Sequence, residues 1–199
     1  MPALAVTIKF TIATGCPEDN RSLSPRFQSW DGAYPNKPTL MKYFAYGSNM
    51  LESRLRARVP GCRFFAVGRL PGYALRFHKV GRDGSAKCSV VKAEGADDCV
   101  IGVIYDIDPM EKIRLDLAES LGQGYNEEAV VLETDNGPVT AYCYVADPAY
   151  IDDSLKPFDW YLAYVVGGAR EHQFPADYIR DLEGVEAIDT SDASVDAHR

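Results

Sequence analysis

The stretch Tyr43-Phe44-Ala45-Tyr46-Gly47-Ser48-Asn49-Met50, YFAYGSNM, changes character in its middle. An apolar and aromatic run of strand type is cut by glycine, serine and asparagine. Met50, Leu51 and Leu55 then recur at helical spacing through NMLESRLRARV until Pro60-Gly61 stops the pattern. The reading is strand, sharp loop, helix. A glycine leaving a strand, with small polar residues entering a helix, leaves several backbone N–H groups unpaired, and the helix dipole adds partial positive charge there. Such a turn can bind an anion; equally, Ser48 or Asn49 can cap the helix. The stretch has neither GxxxxGK[ST] nor GxGxxG, so it is not a phosphate loop, and a carboxylate would serve as well as a phosphate.

Working outward, RFFAVGRL, ALRFH, KCSVVKA and CVIGVIYDI read as strands separated by glycine. DPMEKIRLDLAES opens a second helix with a capping box, Asp108 as N-cap, Pro109 in the first turn and Glu111 three residues on. EEAVVLE and VTAYCYVA flank Asp135-Asn136-Gly137, a hairpin signal. Helices through FDWYLAYVVGGARE and PADYIRDL close the pattern. Strands outnumber helices and hairpins join several of them, so the fold class is α+β, with a mixed or mostly antiparallel sheet and helices at its edges. Upstream, residues 1–40 hold a short apolar run without a basic leader and then an aperiodic, proline-rich polar stretch. They read as an irregular or disordered extension, with a plausible start at Met41. Residues 41–188 form the expected domain, and residues 189–199 a flexible acidic tail.

Composition narrows the function. The chain has 199 residues, 46% hydrophobic and 25% charged, as one globular domain requires. A net charge of −8 disfavours a non-specific grip on nucleic acid. The five cysteines are scattered without a CxxC pair, which indicates neither a disulfide framework nor a zinc knuckle and fits a reducing cytoplasm. The three histidines are not spaced as paired ligands, so no metal is expected. No stretch is long enough for a membrane span.

A second constellation is LDLAESLGQGYNEE. Ile113, Leu117 and Leu121 share a helix face, and Glu119 falls where the helix ends and glycines begin. Taken alone, such a residue is more often a solvated carboxylate. Tyr125 lies six residues beyond, across two glycines that can fold its phenol back toward the carboxylate.

YFAYGSNM, the glutamate after LD with its Gly-rich turn and tyrosine, and GAREHQFPADY come in this order. Together they resemble the γ-glutamylcyclotransferase family from Met41 to about Ile188. The resemblance implies a small mixed, mostly antiparallel β-barrel flanked by helices. It also implies release of 5-oxoproline from a small γ-glutamyl substrate, the α-amine attacking the γ-carbonyl without cofactor or metal. On it, Tyr46, Gly47, Ser48 and Asn49 hold the glutamyl moiety through backbone amides, Glu119 is the acid/base, and Tyr125 and Tyr161 line the substrate. The protein would be a monomer or homodimer. Where many relatives have glycine after the glutamate this chain has Ser120, and after Tyr125 it has Asn126 and Glu127. These departures bear on the leaving group, with Glu127 an extra acid near the mouth.

The chemistry asks for a base working near neutral pH beside the α-ammonium, and for N–H donors to the developing oxyanion. Other readings stay open. They are a relative acting on γ-glutamylamines or on a biosynthetic γ-glutamyl protecting group, and a non-catalytic binding module that needs no Glu119. A serine hydrolase would need His78 or His172 near Ser48.

Overall fold

The computed structural model describes residues 39–191 apart from 94, 96 and 97. The expected N-terminal extension and acidic tail lie outside these, except for residues 39–40 and 189–191. The order is β1 (Met41–Ala45), α1 (Glu52–Arg58), β2 (Arg63–Pro71), β3 (Tyr73–Val80), β4 (Ala86–Lys92), β5 (Cys99–Ile107) and α2 (Pro109–Ala118), then β6 (Tyr125–Leu132), β7 (Val139–Ala146), α3 (Asp159–Glu171) and α4 (Ala176–Glu183). Five strands form one sheet in the order β2-β5-β1-β7-β6, and β3 and β4 pair separately.

β1 is the central strand. It runs antiparallel to β5, with Tyr43 opposite Tyr105, and parallel to β7, with Tyr43 opposite Tyr142. Neighbours on both sides explain why its second half, Tyr43–Ala45, reads as apolar: Phe44 and Ala45 are sealed in the core. The sheet curls until its edge strands touch, where Arg69 and the residue after β6, Glu133, exchange N–H···O bonds of 2.9 and 2.8 Å. The expected barrel is therefore a curled sheet joined at one seam rather than a fully closed ladder. That seam draws Glu133 out of the β6–β7 hairpin, so Asn136-Gly137 sits in a longer loop and not in a two-residue turn.

Asp108 caps α2 as expected, its side chain accepting the Met110 N–H at 2.8 Å. Glu111 does not complete the box; its carboxylate takes the Gly61 N–H instead. The apolar face of α2 points outward, with Leu117 73% and Ile113 57% exposed, and the helix docks through buried Leu115. Lys112 reinforces that docking by pairing with Asp116 and with Glu127.

Candidate active site

After β1 the chain turns at Gly47 into a single 3-10 turn (Ser48–Met50), breaks at Leu51 and only then enters α1. Two short helices thus replace the continuous one that the spacing predicts. The capping alternative is not realised, since no side chain caps either helix. Ser48 Oγ accepts from Arg54 Nε at 3.0 Å. The Asn49 amide donates to Tyr43 Oη at 2.9 Å and to Glu119 Oε1 at 3.0 Å, while its oxygen accepts from Arg58 Nη1 at 2.8 Å. The first N–H groups of the turn have no intrahelical acceptor.

Glu119 is the residue that ends α2, and Ser120 after it has φ +55°, a left-handed backbone that glycine adopts more easily. The Glu119 carboxylate itself lies against the loop. Its Oε1 takes both the Asn49 amide and Arg58 Nη1, the latter at 2.5 Å. Oε2 takes no hydrogen bond from the described residues. Arg58, 25% exposed at its side chain, offsets the desolvation of Glu119, 16% exposed at its own. Nothing local in the sequence marks Arg58 out from the other arginines of α1. Its place in α1, nine residues after Asn49, is the signal that it could reach back across the helix start.

Tyr125 and Tyr161 approach from β6 and α3 and meet at one peptide. Tyr125 Oη donates to the Cys88 carbonyl at 2.7 Å, and Tyr161 Oη accepts the Cys88 N–H at 3.0 Å. Tyr46 Oη donates to the Tyr144 carbonyl. All seven residues singled out from the sequence line one hollow, with Tyr43, Cys88 and Tyr144 completing it. Burial pushes the phenols of Tyr43, Tyr46, Tyr125 and Tyr161 well above the usual tyrosine range, and the Cys88 thiol up to about 12. These groups keep their protons at neutral pH and act neither as bases nor as a thiolate nucleophile. Glu119 is the carboxylate of this lining.

The hollow opens past Ser48, Glu119, Tyr125 and Tyr161 into a larger outer one. Glu127, expected near the mouth, is turned to Lys112 at 2.5 Å, and Asn126 to Asp147 at 3.1 Å. Strand pairing of β6 fixes both directions, which residue order alone could not give. Neither histidine reaches Ser48: His78 Nδ1 lies 2.9 Å from Asp153, and His172 Nε2 3.1 Å from Tyr105 Oη. Among the described residues no cluster of His, Cys, Asp and Glu could hold a metal ion, and no helix is long and apolar enough to cross a membrane.

A curled, mostly antiparallel sheet with a tyrosine-lined hollow, one carboxylate and a glycine turn defines a class, and known proteins share it. The model of the AIG2-like family matches residues 99–182. Gamma-glutamylcyclotransferase of Bos taurus is 29% identical over 152 residues, 74% of this chain and 79% of that protein. Gamma-glutamylcyclotransferase of Homo sapiens is 29% identical over 153 residues, with the same coverage. A solved structure titled gamma-glutamyl cyclotransferase superposes with a TM-score of 0.70 at 26% identity, covering 76% of this chain and 91% of its own. The chain is thus similar to gamma-glutamylcyclotransferases along most of their length and to the AIG2-like family over residues 99–182.

Proposed function

We propose that the protein releases 5-oxoproline from γ-glutamyl compounds, with Glu119 as the general acid/base. The observation that carries this is the Glu119 carboxylate, fixed through Oε1 by Arg58 and Asn49 with Oε2 unengaged, at the junction of the two hollows. The glutamyl moiety curls in the inner hollow with its α-carboxylate toward the amides of Gly47, Ser48 and Asn49. The α-ammonium gives a proton to Oε2, and the freed amine attacks the γ-carbonyl carbon. The five-membered lactam closes as the γ-amide C–N bond breaks. The lactam nitrogen keeps one of the three ammonium hydrogens; the other two end on the departing amine, relayed by Glu119. Holding nucleophile and electrophile curled within one molecule supplies much of the acceleration.

Tyr125 has spent its proton on the Cys88 carbonyl, so it faces the cleft as an acceptor, suited to an ammonium. Tyr125→Phe is expected to lower kcat/KM by the equivalent of one hydrogen bond, about 0.5 to 1.5 kcal/mol. Steady-state kinetics on a γ-glutamyl amino acid check this, and an unchanged value would remove the phenol from the site.

The function itself is tested by incubating pure protein with γ-glutamyl amino acids, γ-glutamylamines and glutathione and scoring 5-oxoproline by mass. Turnover of at least one is expected; its absence across the panel, with intact binding, would point to the binding-module alternative.

A further inference from the structure

The two hollows differ in charge. The inner one has no lysine or arginine in its lining. The outer one is lined by Arg54, Arg58, Lys79, Arg82 and Lys87, against two carboxylates, Asp83 and Glu119. This is a concentrated positive site on a chain of net charge −8. Arg58 pairs with Glu119 at 2.5 Å and Lys87 with Asp83 at 2.7 Å. Arg54, Lys79 and Arg82 have no carboxylate partner among the described residues. Arg54 is held by Ser48 Oγ at 3.0 Å and lies 4.4 Å from the Tyr164 ring centre. Arg82 Nη2 is held by Ser120 Oγ at 2.9 Å, so the serine at this left-handed position anchors a cation that glycine there could not.

Lys79 is the decisive residue. It is only 6% exposed, and its ammonium makes no hydrogen bond or ion pair with a described residue. Its neighbour is the Tyr125 ring, 4.8 Å from Nζ to the centroid. Gly124 gives it room, since a Cβ there would stand 2.9 Å from Nζ. Burial pulls this ammonium below the usual lysine range, with Glu119 opposing and Lys87 adding to the depression. A partly desolvated cation facing other cations is unfavourable until an anion joins it.

We infer that the outer hollow is an anion subsite for the departing amine, built around Lys79, Arg82 and Arg54, and that the enzyme prefers γ-glutamyl compounds whose leaving group carries two acidic groups. This rests on the proposed cyclotransfer, because Glu119 at the junction puts the scissile nitrogen at the entrance to the outer hollow. An ordinary amino-acid leaving group brings one carboxylate to three unpaired cations. A dicarboxylic or phosphorylated one neutralises more of them.

The test compares γ-Glu-Glu, γ-Glu-phosphoserine and the near-isosteric γ-Glu-Gln, measuring both 5-oxoproline formation and calorimetric binding. Wild type should favour the two acidic substrates over γ-Glu-Gln by about tenfold or more in kcat/KM, as charge-assisted hydrogen bonds warrant. Lys79→Met, which keeps the buried stem, and the more exposed Arg82→Gln should each move that ratio toward one. A preference confined to γ-Glu-phosphoserine or to γ-Glu-Glu identifies the second acid as phosphate or carboxylate. Equal turnover of all three overturns the inference and leaves the cyclotransferase reading standing. Tighter binding of the acidic compounds, erased by Lys79→Met but without 5-oxoproline, overturns the reaction and leaves the anion subsite. Neither turnover nor a binding preference overturns both.

Discussion

Glu119→Gln is expected to abolish nearly all turnover while leaving the fold and substrate binding in place. Glutamine retains the oxygen that accepts from Asn49 and Arg58, so the network at Oε1 survives. What is lost is the proton-accepting second oxygen. General acid–base contributions are commonly about 10² to 10⁴ in rate. The proposed Glu119 both takes the ammonium proton and supplies the departing nitrogen, so a loss of about 10³ to 10⁴ in kcat is expected. Binding of a γ-glutamyl compound, followed by calorimetry, should remain within about threefold of wild type, because the loop amides rather than Glu119 are assigned to the glutamyl carboxylate. 5-Oxoproline formation within tenfold of wild type would make Glu119 a bystander and sink the mechanism.

The second large effect concerns adjacent glycines of α3 with opposite outcomes. A Cβ on Gly168 would stand 2.5 Å from Met50 Cβ and 2.6 Å from the Leu51 nitrogen, so the helix would have to back away from the chain leaving the 3-10 turn. A Cβ on Gly167 meets only Leu51 Cδ1 at 3.7 Å, an ordinary contact. Overpacking against unyielding backbone costs about 3 kcal/mol, the upper end of what inserted methyl groups cause. For a chain of this size that lowers Tm by about 6 to 12 °C. Gly167→Ala should instead stabilise by about 0.5 to 1 kcal/mol, through the backbone freedom it removes from the unfolded chain. Thermal melts of the pair decide it. Similar curves for the two variants would show that α3 does not rest on Met50 and Leu51. Activity adds a check: Tyr161 lies two turns before Gly168 on the same helix, so Gly168→Ala should also impair turnover.

The elements that were legible in the sequence are those whose signal is local. β5 and β7 begin and end where their apolar runs do, because Gly, Asp and Pro punctuate them. The N-cap of α2 was legible for the same reason. Seven of the ten residues lining the inner hollow were found through motif order, and the structure brings them together although they come from the β1 loop, the end of α2, β6 and α3. What was not legible depends on pairing across the chain. Arg58 is an unremarkable cation in a helix until Glu119, 61 residues away, is placed against it. Glu127 reads as an acid beside the site until strand register turns it to Lys112. Lys79 reads as one more strand lysine until β3 is laid beside the cleft. The outward stripe of α2 shows the converse: helical periodicity indicates which residues share a face, not what that face meets.

Cys88 grips Tyr125 with its carbonyl and Tyr161 with its N–H, the thiol adding a contact to Tyr161. The alignment of both phenols is thus stored largely in a peptide group, which every amino acid other than proline reproduces. Genetic change at this codon can alter the size of the hollow while leaving the hydroxyls on their marks. It is a place where the hollow can drift toward bulkier or smaller occupants without first losing the peptide that aligns both tyrosines.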